Sequence, residues 1–149
     1  RQMQPKISSF SETDRTKLTR NIAVGRDLCL VLTARKTGKP DAGLLDEAFQ
    51  TWAALPAAGR ASHEDLANGL GALFGEIIKN DFGFNWQTIT DQYGSEPALI
   101  DENTGRVVFP INAVWKRLEP EIDSRAFFGP MYDSIAGHLN KIKTGESGI

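Results

Sequence analysis

Cysteine, histidine and tyrosine are scarce in this sequence: 149 residues contain one cysteine, two histidines and two tyrosines. The lone Cys29 excludes an intramolecular disulfide, and its setting in the apolar run Leu28 to Leu32 predicts an inert, buried thiol suited to the cytoplasm. His63 and His138 stand far apart and Cys29 has no ligand-type neighbour, so no metal site is expected. No apolar stretch approaches the roughly 20 residues that a membrane helix needs, and no secretory apolar segment is present. The chain starts at Arg1, which leaves room for a leader removed upstream. Charge is nearly balanced, with 17 Lys and Arg against 19 Asp and Glu and a formal net charge of -2. Without a broad basic field, neither nucleic acid nor a membrane surface is expected as a partner. There is no Gly-x-Ser-x-Gly elbow, and no glycine pair runs into a Lys-Ser/Thr dipeptide, so nucleophile-elbow and phosphate-loop chemistry are set aside.

What the chain does contain is periodicity and punctuation, most of it between Leu66 and Arg117. Upstream, Ser9 and Glu12 have the spacing of a capping box and predict a helix start. Leu18, Ile22, Gly25, Cys29 and Leu32 then step by three or four, widened by Leu28 and Val31, while Arg15, Lys17, Arg20, Arg26 and Arg35 form a solvated face. Thr37-Gly38-Lys39-Pro40 is expected to stop that helix. Asp41 can cap a second one, with Leu44, Leu45, Ala48, Phe49, Trp52 and Leu55 on its stripe, and so short a connection predicts a helical hairpin. Ser62 with Asp65 caps a third helix, which buries Leu66, Leu70, Leu73, Phe74, Ile77 and Ile78 and ends at Gly83. Its interior Gly69, Gly71 and Gly75 each cost about 1 kcal/mol relative to alanine, and the offset is expected from another backbone approaching the Gly71 and Gly75 strip.

From Phe84 the period changes to that of strands. Segments 84–89, 97–100 and 106–109 are separated by the turns Asp91-Gln92-Tyr93-Gly94 and Asp101 to Gly105, which are too short for parallel crossovers. Ile111, Val114, Trp115 and Leu118 restore helical spacing up to Glu119-Pro120. A last helix is expected from about Asp123 to Lys143, burying Phe127, Phe128, Met131, Tyr132, Ile135, Leu139 and Ile142, with Pro130 kinking it or marking its true first turn. Trp86 and Trp115 are expected to be largely buried and Trp52 at least partly so.

Three blocks, LGALFGEII, FNWQTITDQYGSEPALID and VVFPINAVWKRLE, together resemble the bacterial family known as domain of unknown function 3806. The residues that carry the resemblance are Gly71, Gly75, Glu76, Trp86, Asp91, Gly94, Phe109, Pro110, Lys116 and Arg117, all in the second half of the chain. The resemblance implies no particular activity.

The residues therefore predict an α+β fold forming a single domain over 1–149. It has an N-terminal helical hairpin, a central helix packed on a short three-stranded antiparallel sheet, and C-terminal helices, with 1–8 and 144–149 flexible. The expected function is a non-catalytic, cytoplasmic protein-binding module, of the immunity type that neutralises a toxin or effector, with no enzymatic activity and no cofactor. Its expected contacts are the acidic turns: Asp91, Tyr93 and Glu96 in the first, Asp101, Glu102 and Asn103 in the second, both standing at one end of the sheet. The competing reading is a small-ligand site or enzyme using Glu76, Asp91, Lys116 and Arg117 beside the sheet, against the plainer role of pairing elements together.

Overall fold

The structure, a computed structural model, describes residues 4–144. Its elements run β1 (Lys6–Ser9), α1 (Glu12–Leu32), α2 (Ala42–Ala54), α3 (His63–Phe82), β2 (Asn85–Asp91), β3 (Gly94–Ile100), β4 (Val107–Val108), α4 (Pro110–Leu118) and α5 (Phe128–Thr144). This is the expected α+β fold, with one correction: the antiparallel sheet has four strands, in the order β1-β2-β3-β4. The added strand covers the end of the segment expected to be a flexible lead-in and Ser9, the expected cap. Lys6 to Ser9 pair with Thr90 to Gln87, and no local signal announces it because a four-residue polar strand has no apolar period and its partner is far along the chain. Residues 1–3 of that lead-in and 145–149 of the expected flexible tail fall outside the described residues, and Thr144 closes α5.

Side-chain caps decide where helices begin. Ser11, not Ser9, caps α1: its hydroxyl accepts from the Asp14 amide at 3.1 Å while Asp14 accepts from the Ser11 amide at 3.0 Å, a reciprocal box displaced by β1. Asp41 and Ser62 cap α2 and α3 as expected, and Gly83, at φ +78°, ends α3. α1 stops at Leu32, well before Gly38, because side chains meet its last carbonyls: the Thr33 hydroxyl donates to Cys29 O at 2.7 Å and the Lys36 ammonium reaches the Leu30 and Thr33 carbonyls.

α3 is the axis of the packing. Its first interior glycine, Gly69, touches the backbone of Gly25, so α1 lies closest to α3 even though α1 and α2 also pack together. A Cβ on Gly25 would collide with the Gly69 carbonyl. A Cβ on Gly71 would lie 2.6 Å from Ile111 Cα in α4, and one on Gly75 would enter the indole of Trp86. The expected close backbone therefore lies at Gly71, against α4, whereas Gly75 meets a side chain, and Gly25 with Gly69 makes a second helix-to-helix approach.

Two of the three tryptophans are less buried than expected. Trp52 is wholly buried, its indole N–H donating to Ala61 O at 2.8 Å, whereas Trp86 and Trp115 are half-buried. Val31, Leu55 and Ile142, expected on apolar stripes, are exposed, whereas Leu32 beside Val31 is buried. α5 begins at Phe128, later than the expected Asp123, with Pro130 in its first turn. The cause lies in α2: the Asp46 carboxylate, 9% exposed, accepts from the Phe127, Phe128 and Gly129 amides at 2.8, 2.9 and 2.9 Å. A side chain from another helix satisfies donors that no residue before Phe128 caps.

Candidate functional site at the hairpin tip

β2 and β3 pair in a continuous register from Asn85 with Ile100 to Asp91 with Gly94, which leaves Gln92 and Tyr93 as a two-residue turn. Gly94 takes φ +128°, which a side chain would resist. Asp91 accepts from the Tyr93 amide at 2.8 Å, and the Thr90 and Ser95 hydroxyls meet at 2.7 Å across the strands. Ala98, Leu99 and Ile100 at the base are buried, so an anchored hairpin carries a polar, self-bonded tip. At its apex Tyr93 is 85% exposed. The sequence placed Asp91, Tyr93 and Glu96 in one turn region, and the structure keeps them together.

Beside the tip lies a cleft of about 400 Å³ that no sequence period reveals. α1 supplies Asp14, Lys17 and Asn21, α3 supplies Glu64 and Asn68, and the hairpin supplies Thr88, Ser95 and Glu96. The Thr88 hydroxyl donates to Asp14 at 3.3 Å and ties α1 to the sheet. The Ser11 amide, more than Thr88, holds the Asp14 carboxyl below its ordinary range, whereas burial, then the Asp91 charge, push Glu96 up. Three carboxylates against the single Lys17 make this a surface for a cationic group. Among the described residues no group of three His, Cys, Asp or Glu side chains is placed to hold a metal ion. Nor is any helix among them long and apolar enough to cross a membrane.

The second acidic turn is corrected in two respects. Asp101 is only 6% exposed: its carboxylate accepts from the Asn103 amide at 3.2 Å and the Thr104 hydroxyl at 2.6 Å, and its backbone bonds Arg106 and Gly105. It staples the turn and offers little to a partner. Glu102 and Asn103 are exposed, but Glu102 lies near Asn85, at the start of β2, and hence at the end of the sheet opposite Tyr93. Successive turns of a meander alternate ends, so the two acidic turns do not form one surface.

The competing cluster does not converge either. Glu76 accepts from the Trp86 indole at 3.0 Å in a groove between α1 and β2. Asp91 is committed to the turn. Lys116 and Arg117 line a different cleft with Arg106, and Arg117 donates to Asp123 at 3.0 Å while lying 5.0 Å from the Phe127 ring centroid. Arg117 therefore pairs with a carboxylate, as the plainer reading had it, but with one only six positions on rather than on a distant element. Cys29 is buried, and desolvation pushes its thiol up to about 11, as its apolar run predicts.

Comparison with known proteins follows the same boundaries. The family described as Domain of unknown function (DUF3806) matches residues 50–127, from the end of α2 to just before α5. That span is more than half of the chain, and the chain belongs to this family. No curated protein matches it. Among solved structures, a protein from Bacteroides thetaiotaomicron VPI-5482 with a crystal structure at 1.50 Å resolution is similar, with a TM-score of 0.71 and 13% sequence identity. The likeness covers 93% of this chain and 49% of that one, so this chain spans about half of that protein's length. At that identity the likeness concerns the fold.

Proposed function

We propose that this member of the DUF3806 family is a non-catalytic bacterial protein-binding module, acting in the cytoplasm as an immunity-type protein against a toxin or effector. The observation that carries the reading is Tyr93: a large aromatic at the apex of a two-residue hairpin turn, 85% exposed. Tyrosine in that setting supplies contact area at low entropic cost and is a common interface anchor. The acidic cleft at its foot fits a lysine or arginine of a basic partner, and Asp91 and Glu96 add to the field that would steer it. An interface of about 800 Å² on this side would extend from the tip across that cleft. The competing enzymatic reading loses support, because the Lys116 and Arg117 cleft includes neither Glu76 nor Asp91.

The test begins with a photo-crosslinking aromatic at position 93, with position 142 as an exposed control. The expected result is one dominant crosslinked protein of net positive charge from position 93 alone, lost when Asp91→Lys and Glu96→Lys are added. Calorimetry with that purified partner should then show Tyr93→Ala weakening binding by about 2 kcal/mol. Unchanged affinity would place the interface elsewhere.

A further inference from the structure

On another part of the surface, β4, α4 and the start of α5 enclose a cleft of about 410 Å³, within the size range of small-molecule sites. It uses the Phe-Pro and Lys-Arg blocks that the hairpin leaves unexplained. Phe109 caps α4 and Ala113, Lys116 and Arg117 follow at helical spacing, so one face of a nine-residue helix presents an aromatic ring at one end and two cations at the other. Arg106 converges on the same cleft from the residue before β4. Cations in a helix's last turn are explained by the dipole alone, but that does not account for Arg106.

The three cations differ in their commitments. Arg117 is half-exposed and is aimed by two contacts, its bond to Asp123 and the Phe127 ring beneath it. Neither Arg106 nor Lys116 makes a side-chain hydrogen bond or ion pair among the described residues, although the Glu96 carboxylate lies near Lys116. Between the cations the wall is apolar, formed by Val108, Phe109, Phe127 and Met131.

We infer that this cleft binds a small organic anion, a carboxylate or phosphate monoester on an aromatic or aliphatic body. The Arg106 and Arg117 forks and the Lys116 ammonium take the anionic group, and the apolar wall takes the body. The guanidinium forks suit planar or tetrahedral oxyanions, and Arg117 is already held in place, so little rotamer freedom is lost there on binding.

Phenyl phosphate, phenylacetate and inorganic phosphate distinguish the possibilities when titrated into the whole chain by calorimetry and amide NMR. Saturable binding of at least one of the two organic anions is expected, with shifts at Arg106, Val108 and Lys116, and weakening with salt. Inorganic phosphate should bind about tenfold more weakly, as it has no body for the wall. Arg106→Gln with Lys116→Gln should lower affinity by about tenfold or more. The single Lys116→Gln variant, at an exposed position, guards against misfolding of the pair and should also weaken binding. No saturable binding by either organic anion would overturn the inference, as would full affinity in the variants. Inorganic phosphate binding as tightly as phenyl phosphate would also overturn it, because the wall would then contribute nothing.

Discussion

Around α3, side chains are placed by what touches them, whereas at the tip of the β2–β3 hairpin they are placed by bonds within the turn itself. Gly25, Gly69, Gly71 and Gly75 exist as glycines because a backbone or a ring occupies the space of a Cβ, and Asp46 is fixed by three amides from the chain segment it caps. At the tip, Asp91, Thr90 and Ser95 bond only to their own turn or to the strand opposite, and Tyr93 meets solvent. Substitution in the first region should therefore register as stability, and in the second as recognition.

The severest expected break in that contrast is Asp46→Ala. It removes the acceptor of three amides at the entry to α5, and leaving such donors unmet in a buried setting should cost about 3 kcal/mol in urea unfolding. A loss below about 1 kcal/mol would mean that water caps α5 equally well. Next comes Gly25→Ala, whose methyl meets the Gly69 carbonyl. A backbone atom cannot turn aside, so overpacking outweighs the gain in helix propensity, for a net loss of about 2 kcal/mol. Gly75→Ala meets the outer edge of the Trp86 ring, which can shift a little, and should lose only about 1 kcal/mol. If thermal melts showed the two alanine variants to be equal, backbone contact would not be the distinguishing cause.

At the tip the expected change in stability from Tyr93→Ala is within about 0.5 kcal/mol. A larger loss in chemical denaturation would show that the ring supports the hairpin and would remove it as an interface anchor. The smallest effect concerns acid. Arg125 chiefly, with Arg117, hydrogen-bonds Asp123 and holds its carboxyl below the ordinary aspartate value of 3.8. A depressed folded-state value gives stability that is present above about pH 3.8 and is lost as pH falls through the lower value. Asp123→Asn should therefore flatten the acid arm of a stability profile below that pH and lower stability slightly at neutrality, where the exposed pair is screened. An unchanged acid arm would show that the bonded pair adds nothing.

Much of this contrast was legible residue by residue. Asp41 and Ser62 announced their caps, Gly83 its left-handed end, and the two strand turns were visible because turn chemistry is local. Asp91, Tyr93 and Glu96 could be singled out for the same reason. Asp101 was misjudged because an acidic residue at a turn looks alike whether its carboxylate faces water or folds back on the turn amides. The acidic cleft was missed because Asp14, Lys17 and Glu64 lie on helix faces that read as solvated, and only the packing of α1 and α3 beside the hairpin brings them together.

The sequence by itself determined the α+β class, the helix caps at Asp41 and Ser62, the antiparallel hairpin and the aromatic at its apex, because these depend on spacings of a few residues. Only the tertiary structure decided that β1 joins the sheet, that Asp46 caps a helix more than eighty positions away, and that Arg106 shares a cleft with Lys116 and Arg117. Those contacts join residues whose local patterns are independent of one another. Which of them meet is settled by how closely the helices can approach, and the glycines of α1 and α3 set that distance.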